Sequence, residues 1–140
     1  MIRNRTLAAL VATAMAFPAA AWAADLNVEI KGINIDAGVI RIALFREEGW
    51  SGEASVDGAE VAVDGATARV AFSGLSEGRY GIKLYQDVNG NGALDMNVIG
   101  IPKEPYAFSN DAPARFGPPK FEAAAFDVPE GESTHTITMK

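Results

Sequence analysis

Residues 79–87, RYGIKLYQD, alternate side chains with a period of two. Tyr80, Ile82 and Leu84 fall on one face and Lys83 and Tyr85 on the other, as in a strand with one face in a core. Segments of the same kind lie on both sides of it in sequence. Leu26, Val28 and Ile30 alternate with Asn27, Glu29 and Lys31; in 39–45 (VIRIALF), Ile40, Ile42 and Leu44 stand opposite Arg41. Residues 60–63 and 66–72 flank Asp64-Gly65, a dipeptide favoured in two-residue hairpins because both positions need positive φ, which predicts a hairpin. Residues 123–128 and 134–139 predict two closing strands around the turn 129–132. The polar, glycine-bearing segment 46–58 reads as a loop or irregular edge, with Trp50 as a lid on the core. About seven short strands without a helical period predict an all-β fold: a single antiparallel β-sandwich with one long ordered loop.

The chain opens with Arg3 and Arg5, an apolar run 7–17 and Ala21-Trp22-Ala23 before Ala24. That order is expected of a secretory signal cleaved after Ala23, with an uncleaved anchor as the alternative. No later stretch approaches the 18 or so consecutive apolar residues of a membrane span. Residues 24–140 are then one domain, periplasmic or secreted. There is no cysteine, so neither disulfide nor thiol chemistry is available. Removing the leader leaves ten basic residues against eighteen acidic, a net charge of about −8. With the basic residues scattered, that charge disfavours nucleic acid and favours cations.

Strand 79–87 runs into QDVNGNGALD, residues 86–95. Counted from Asp87, side-chain oxygens recur at positions one (Asp87), three (Asn89) and five (Asn91). Gly92 stands at six, the carbonyl of Ala93 at seven and Asp95 at nine. Calcium takes six to eight hard oxygens, and alternate positions on a tightly wound loop can aim them at one point while a glycine allows the bend. The bidentate glutamate of an EF-hand is missing, because position twelve is Val98. A further ligand is expected from Glu104, or failing that Asn97. With few carboxylates, affinity is expected in the weak extracellular range of roughly 10⁻⁴–10⁻³ M. The competing account is two plain turns at Asn89-Gly90 and Asn91-Gly92, which tolerate positive φ.

Residues 96–120 have little periodicity but are too apolar (Ile99, Ile101, Tyr106, Phe108, Phe116) for a solvated tail, and prolines stiffen them. This loop is expected to fold back over one end of the sandwich, near the ion. Tyr106, Phe108, Ser109 and Asn110 are either a partner surface or a satellite core beneath the loop.

Residues 72–110 resemble a secreted bacterial family, domain-of-unknown-function family 2141. The resemblance rests on F-x-G-L-x-x-G-x-Y (Phe72 to Tyr80), D-x-N-x-N-G-x-L-D (Asp87 to Asp95) and G-x-P-K-E…F-S-N (Gly100 to Glu104, Phe108 to Asn110). It implies an immunoglobulin-like or prealbumin-like sandwich in the cell envelope and implies no activity. Pro105 and Ala107 stand where the resemblance leads one to expect glycines. The G-L-x-x-G-x-Y segment is also similar to collagen-adhesin B type repeats and carboxypeptidase regulatory domains, which are structural modules.

For catalysis the residues offer little. His135 is the sole histidine and shares a strand face with Ile137 and Met139, no serine sits in a nucleophile elbow, and Glu47-Glu48 and Glu130/Glu132 fall in charged loops. The leading expectation is a monomeric, non-enzymatic module with a calcium-ordered loop, for an unidentified protein, saccharide or small ligand. A carrier with an apolar pocket between its sheets is the rival, and a hydrolase the third possibility.

Overall fold

The structure, a computed structural model, describes residues 23–140. The expected leader, up to residue 22, lies outside the described residues. Eight strands follow: β1 (Ala24–Lys31), β2 (Val39–Phe45), β3 (Asp57–Ala62), β4 (Ala68–Leu75), β5 (Gly78–Asp87), β6 (Tyr106–Phe108), β7 (Phe126–Val128) and β8 (Gly131–Thr138). One sheet has the order β4-β1-β8. The other has the order β3-β2-β5, with β6 and β7 pairing successive stretches of β5. The two pack face to face as a sandwich.

The alternation seen in sequence supplies the core. Leu26, Val28 and Ile30 of β1 meet Ile40, Ile42 and Leu44 of β2 and Ile82 and Leu84 of β5, all at most 3% exposed. Each such side chain contributes about 1.5–3 kcal/mol on burial.

Three strand pairings differ from expectation. First, β3 and β4 are not a hairpin: β3 pairs with β2 and β4 with β1, so the Asp64-Gly65 turn carries the chain from one sheet to the other. Val63 donates its amide to Gly38 O, continuing the β2–β3 ladder instead of closing a two-residue turn. Second, β7 and β8 belong to different sheets. Residues Phe121–Ala124, expected in part as strand, form a helical turn, α2, and β8 already begins at Gly131. Third, β8 runs parallel to β1, so this sheet is mixed and not wholly antiparallel. Crossing from the far sheet, β8 enters alongside β1 in the same direction.

Segment 46–58 holds a helical turn, α1 (Glu47–Trp50), and the start of β3. Trp50 is a lid, but over a second cluster on the outer face of the five-stranded sheet, with Phe45, Phe108, Ala112, Phe121 and Ala124. Its indole meets Phe45 and Phe121 edge-on at 5.8 Å, a favourable aromatic arrangement. Gly81 makes room for it, since a Cβ there would lie 2.7 Å from the Trp50 ring.

The turn before β2 abuts the start of the 87–95 loop. Gln86 donates to Ile35 O (2.6 Å) and Ala37 O (2.8 Å), holding that turn against β5. Gly38, at φ +74°, lies so close that a Cβ would fall 2.0 Å from Asp87 O and 2.8 Å from Val88 Cα. Gly38→Ala therefore combines a strained φ with a backbone clash and is expected to cost about 2–4 kcal/mol. Chemical denaturation at neutral pH measures the loss.

Candidate metal centre and outer trough

β5 ends at Asp87, whose side chain is fully buried on the outer face of the sheet. Arg41, two residues further along neighbouring β2, reaches it diagonally, with Nε donating to Oδ2 at 2.9 Å. The loop then winds around the carboxylate: Asn91 N donates to Oδ1 (3.1 Å) and Gly92 N to Oδ2 (2.8 Å). Burial pushes this carboxyl up, but the Arg41 hydrogen bond and the Gly92 and Asn91 amides outweigh burial and hold it below its ordinary value. Arg41 also pairs with Glu60 on β3, directly across the strand.

The oxygen-bearing side chains of the loop converge. Asn89 and Asn91 donate their Nδ2 groups to the two oxygens of Asp95, each at 2.6 Å. Their Oδ1 atoms accept from the amides two residues on, Asn91 N (3.2 Å) and Ala93 N (3.0 Å). Asp87 and Asp95 are thus joined through Asn91. Among the described residues no three His, Asp or Glu side chains gather as a metal-holding group, so any cation here would rely on amide and carbonyl oxygens as well as carboxylates.

Glu104 lies beside the loop, and both its oxygens face backbone amides: Oε1 accepts from Val88 N (2.9 Å) and Oε2 from Asp95 N (3.0 Å). It clamps the two ends of the turn together, and Lys103 N adds a bond to Asp95 O at 2.7 Å. Asn97 accepts from Ile99 N and Ile101 N and closes a separate tight turn. Pro105 and Ala107 fit without glycine: the Pro105 carbonyl accepts Gln86 N, and Ala107 pairs with Leu84 in the ladder.

The four residues read as a partner surface or a satellite core divide. Tyr106 is half-buried, and Phe108 packs edge-on between Tyr106 and Trp50. Ser109 is fully buried in the gap between β6 and β7, accepting from Ile82 N (2.9 Å) and donating to Ala124 O (2.5 Å). Asn110, at φ +59°, donates its side-chain amide to Ala123 O and Ala125 O. These two stitch β6, α2 and β7 into one edge.

Segments 94–102 and 114–118 do not cover one end of the sandwich. They lie over the outer face of the five-stranded sheet and leave a trough of about 780 Å³. Its floor is Arg41, Ala43, Lys83, Tyr85 and Tyr106; Leu94, Met96 and Ile101 form one wall, Ala114 and Phe116 the other. The space between the sheets, by contrast, is filled by core side chains. Lys83 was legible only as a strand residue facing away from the core.

His135 is the half-buried strand histidine that the pattern predicts. It stacks on Phe126 at 3.9 Å, and its Nε2 accepts Asn110 N at 3.2 Å. Burial lowers its pKa, against the pull of nearby Asp111.

Ser109→Ala strands the buried Ile82 amide and is expected to cost about 1–3 kcal/mol, with faster hydrogen exchange at Ile82. Because the fold prefers neutral His135, the unfolded chain takes up that proton first as pH falls. Stability is therefore expected to decline from about pH 6.5 downward through the lower folded value. His135→Phe keeps the stacking, removes the titration and flattens this window. A separate decline sets in below about pH 4, where Asp87 of the unfolded chain takes up its proton before the folded carboxylate does, and it persists in the variant.

No curated protein and no solved structure matches the chain. A family model described as "Uncharacterized protein conserved in bacteria (DUF2141)" matches residues 28–137, nearly all of the sandwich and both segments that wall the trough. The chain belongs to that family.

Proposed function

We propose that this protein is an exported, non-enzymatic binding module, periplasmic or secreted, whose 87–95 loop takes calcium and thereby fixes the long segment after β5. The observation that carries this reading is the convergence of Asp87, Asn89, Asn91 and Asp95 on one small volume. Asp95, together with the charge that Asp87 shares with Arg41, would oppose the charge of a divalent ion. Rotating the two asparagine amides would bring oxygens to the places where nitrogens now meet Asp95, at the expense of the bonds that their Oδ1 atoms accept from Asn91 N and Ala93 N. Ala93 supplies the carbonyl, and water completes the shell. Glu104 enters as a clamp that presents the loop, with its suitability as a ligand open to test.

A second reading is favoured by the trough: a carrier of a small apolar ligand, bound on the outer face and not between the sheets. Its volume falls within the roughly 300–1,000 Å³ typical of small-molecule sites.

Calcium at about a hundredfold excess over its dissociation constant should add some 2.7 kcal/mol, or roughly 10 °C in the unfolding midpoint, relative to chelator. Asp95→Ala, which spares the Arg41–Asp87 pair, should abolish that rise. Equal midpoints with calcium and chelator would defeat the reading. Glu104→Gln cannot accept both amides as the carboxylate does; as a clamp it destabilises by about 1–3 kcal/mol in chelator as well as in calcium, whereas a ligand's loss would show in calcium alone.

A further inference from the structure

Seven large apolar side chains are exposed among the described residues, and four of them (Met96, Ile99, Ile101 and Phe116) border the one trough. Scattered exposed apolar residues are ordinary; a group gathered around a concavity marks a surface that something covers. The charges there are equally uneven. Although the chain as a whole is acidic, the trough is lined by two cations, Arg41 and Lys83, and by no aspartate or glutamate.

The two cations are not equivalent. Arg41 is held by Asp87 and Glu60. Lys83 has no carboxylate at ion-pair distance among the described residues. Its Nζ donates to Trp50 O (2.5 Å), has Gly52 O at 3.5 Å, and lies 4.5 Å and 4.8 Å from the centres of the Phe45 and Trp50 rings. An ammonium has three donors, and carbonyls and ring faces supply no counter-charge. Burial also lowers its pKa, against the field of exposed Glu53. A partly desolvated cation that lines the trough where it meets the Trp50 cluster, in a chain rich in acids, matches a ligand that brings its own anion.

We infer that the trough binds a long-chain monocarboxylate, its apolar chain against Met96, Ile101, Tyr106 and Phe116 and its head group against Lys83. This assignment rests on the carrier reading and names the ligand class for it. The carboxylate supplies the counter-charge that Lys83 lacks, and the chain covers the exposed wall. A neutral amphiphile of the same length gains the second term and not the first.

The test titrates the mature protein, in calcium, with decanoate and with 1-decanol. Decanoate should bind about tenfold more tightly or better, the worth of a charge-assisted contact. Lys83→Met, close in length and apolar, should erase the preference of decanoate over decanol, and Lys83→Arg should retain it. Ile101→Glu should weaken both ligands. Equal affinities in the unmodified protein overturn the head-group assignment and leave the carrier reading standing, a result that does not depend on any variant folding. No binding of either ligand overturns both. Concentration-dependent dimerisation that Ile101→Glu abolishes, without ligand binding, would assign the trough to a second copy and overturn the inference as well.

Discussion

Asp87 is a fully buried carboxylate at the point where a regular strand becomes an irregular loop, and the outer half of the molecule is organised around it. Its backbone closes the β2–β5 ladder opposite Val39 and presses on Gly38. Its side chain holds Arg41 on one side and winds residues 91 and 92 on the other. A buried charge is tolerable only when paired and hydrogen-bonded, and here a guanidinium and two amides meet that condition. Because the partners come from a strand and a loop, satisfying the charge fixes the loop to the sheet.

The same sheet is covered twice. Its inner face builds the sandwich core, while its outer face carries the Trp50 cluster at one end and the trough at the other. The cluster is dense because Gly81 lets the Trp50 indole approach β5 closely and Ser109 closes the edge beneath it. Nothing comparable fills the far end, where Tyr85 and Arg41 project, and Lys83 lies at the boundary with its Nζ against Trp50. The trough exists because the covering segments 94–102 and 114–118 form walls and no side chain of theirs fills the floor.

Strands β1, β2 and β5 were readable from alternation because each buries one face. Their partners were not. Asp64-Gly65 announces a reversal, but a reversal between sheets and one within a sheet use the same residues; only the ladder from Val63 to Gly38 distinguishes them. The parallel β1–β8 pairing joins the two ends of the domain and leaves no local trace. At the site, the loop's own residues were legible as a group, but Arg41 lies 46 positions from Asp87 and appeared only as the polar side of a strand. Glu104, expected as a ligand of the loop, accepts two of the loop's amides; a carboxylate that ligates a cation and one that accepts two amides look identical in sequence. Ser109 and Asn110 looked available to a partner because nothing in FSN reveals that the gap between two short strands lies next to it.

The two proposed sites share structure, so if both are occupied as proposed they would be thermodynamically linked. Arg41 touches both, bonding to Asp87 with its Nε while lining the trough floor. Leu94 and Met96 flank Asp95 and form the wall. Inserting a cation between Asp87 and Asp95 would withdraw some of the negative charge that Arg41 now faces and would fix the residues on either side of Asp95. Both changes favour an anionic chain in the trough, the first by leaving a stronger positive field on its floor and the second by removing the entropy cost of ordering its wall. Reciprocity then requires the carboxylate to tighten calcium by the same factor. On the exported reading proposed above, a weak cation site would thereby become useful: where calcium is more abundant than in the cytoplasm, it would be occupied enough to prepare the wall and loose enough to respond to the ligand.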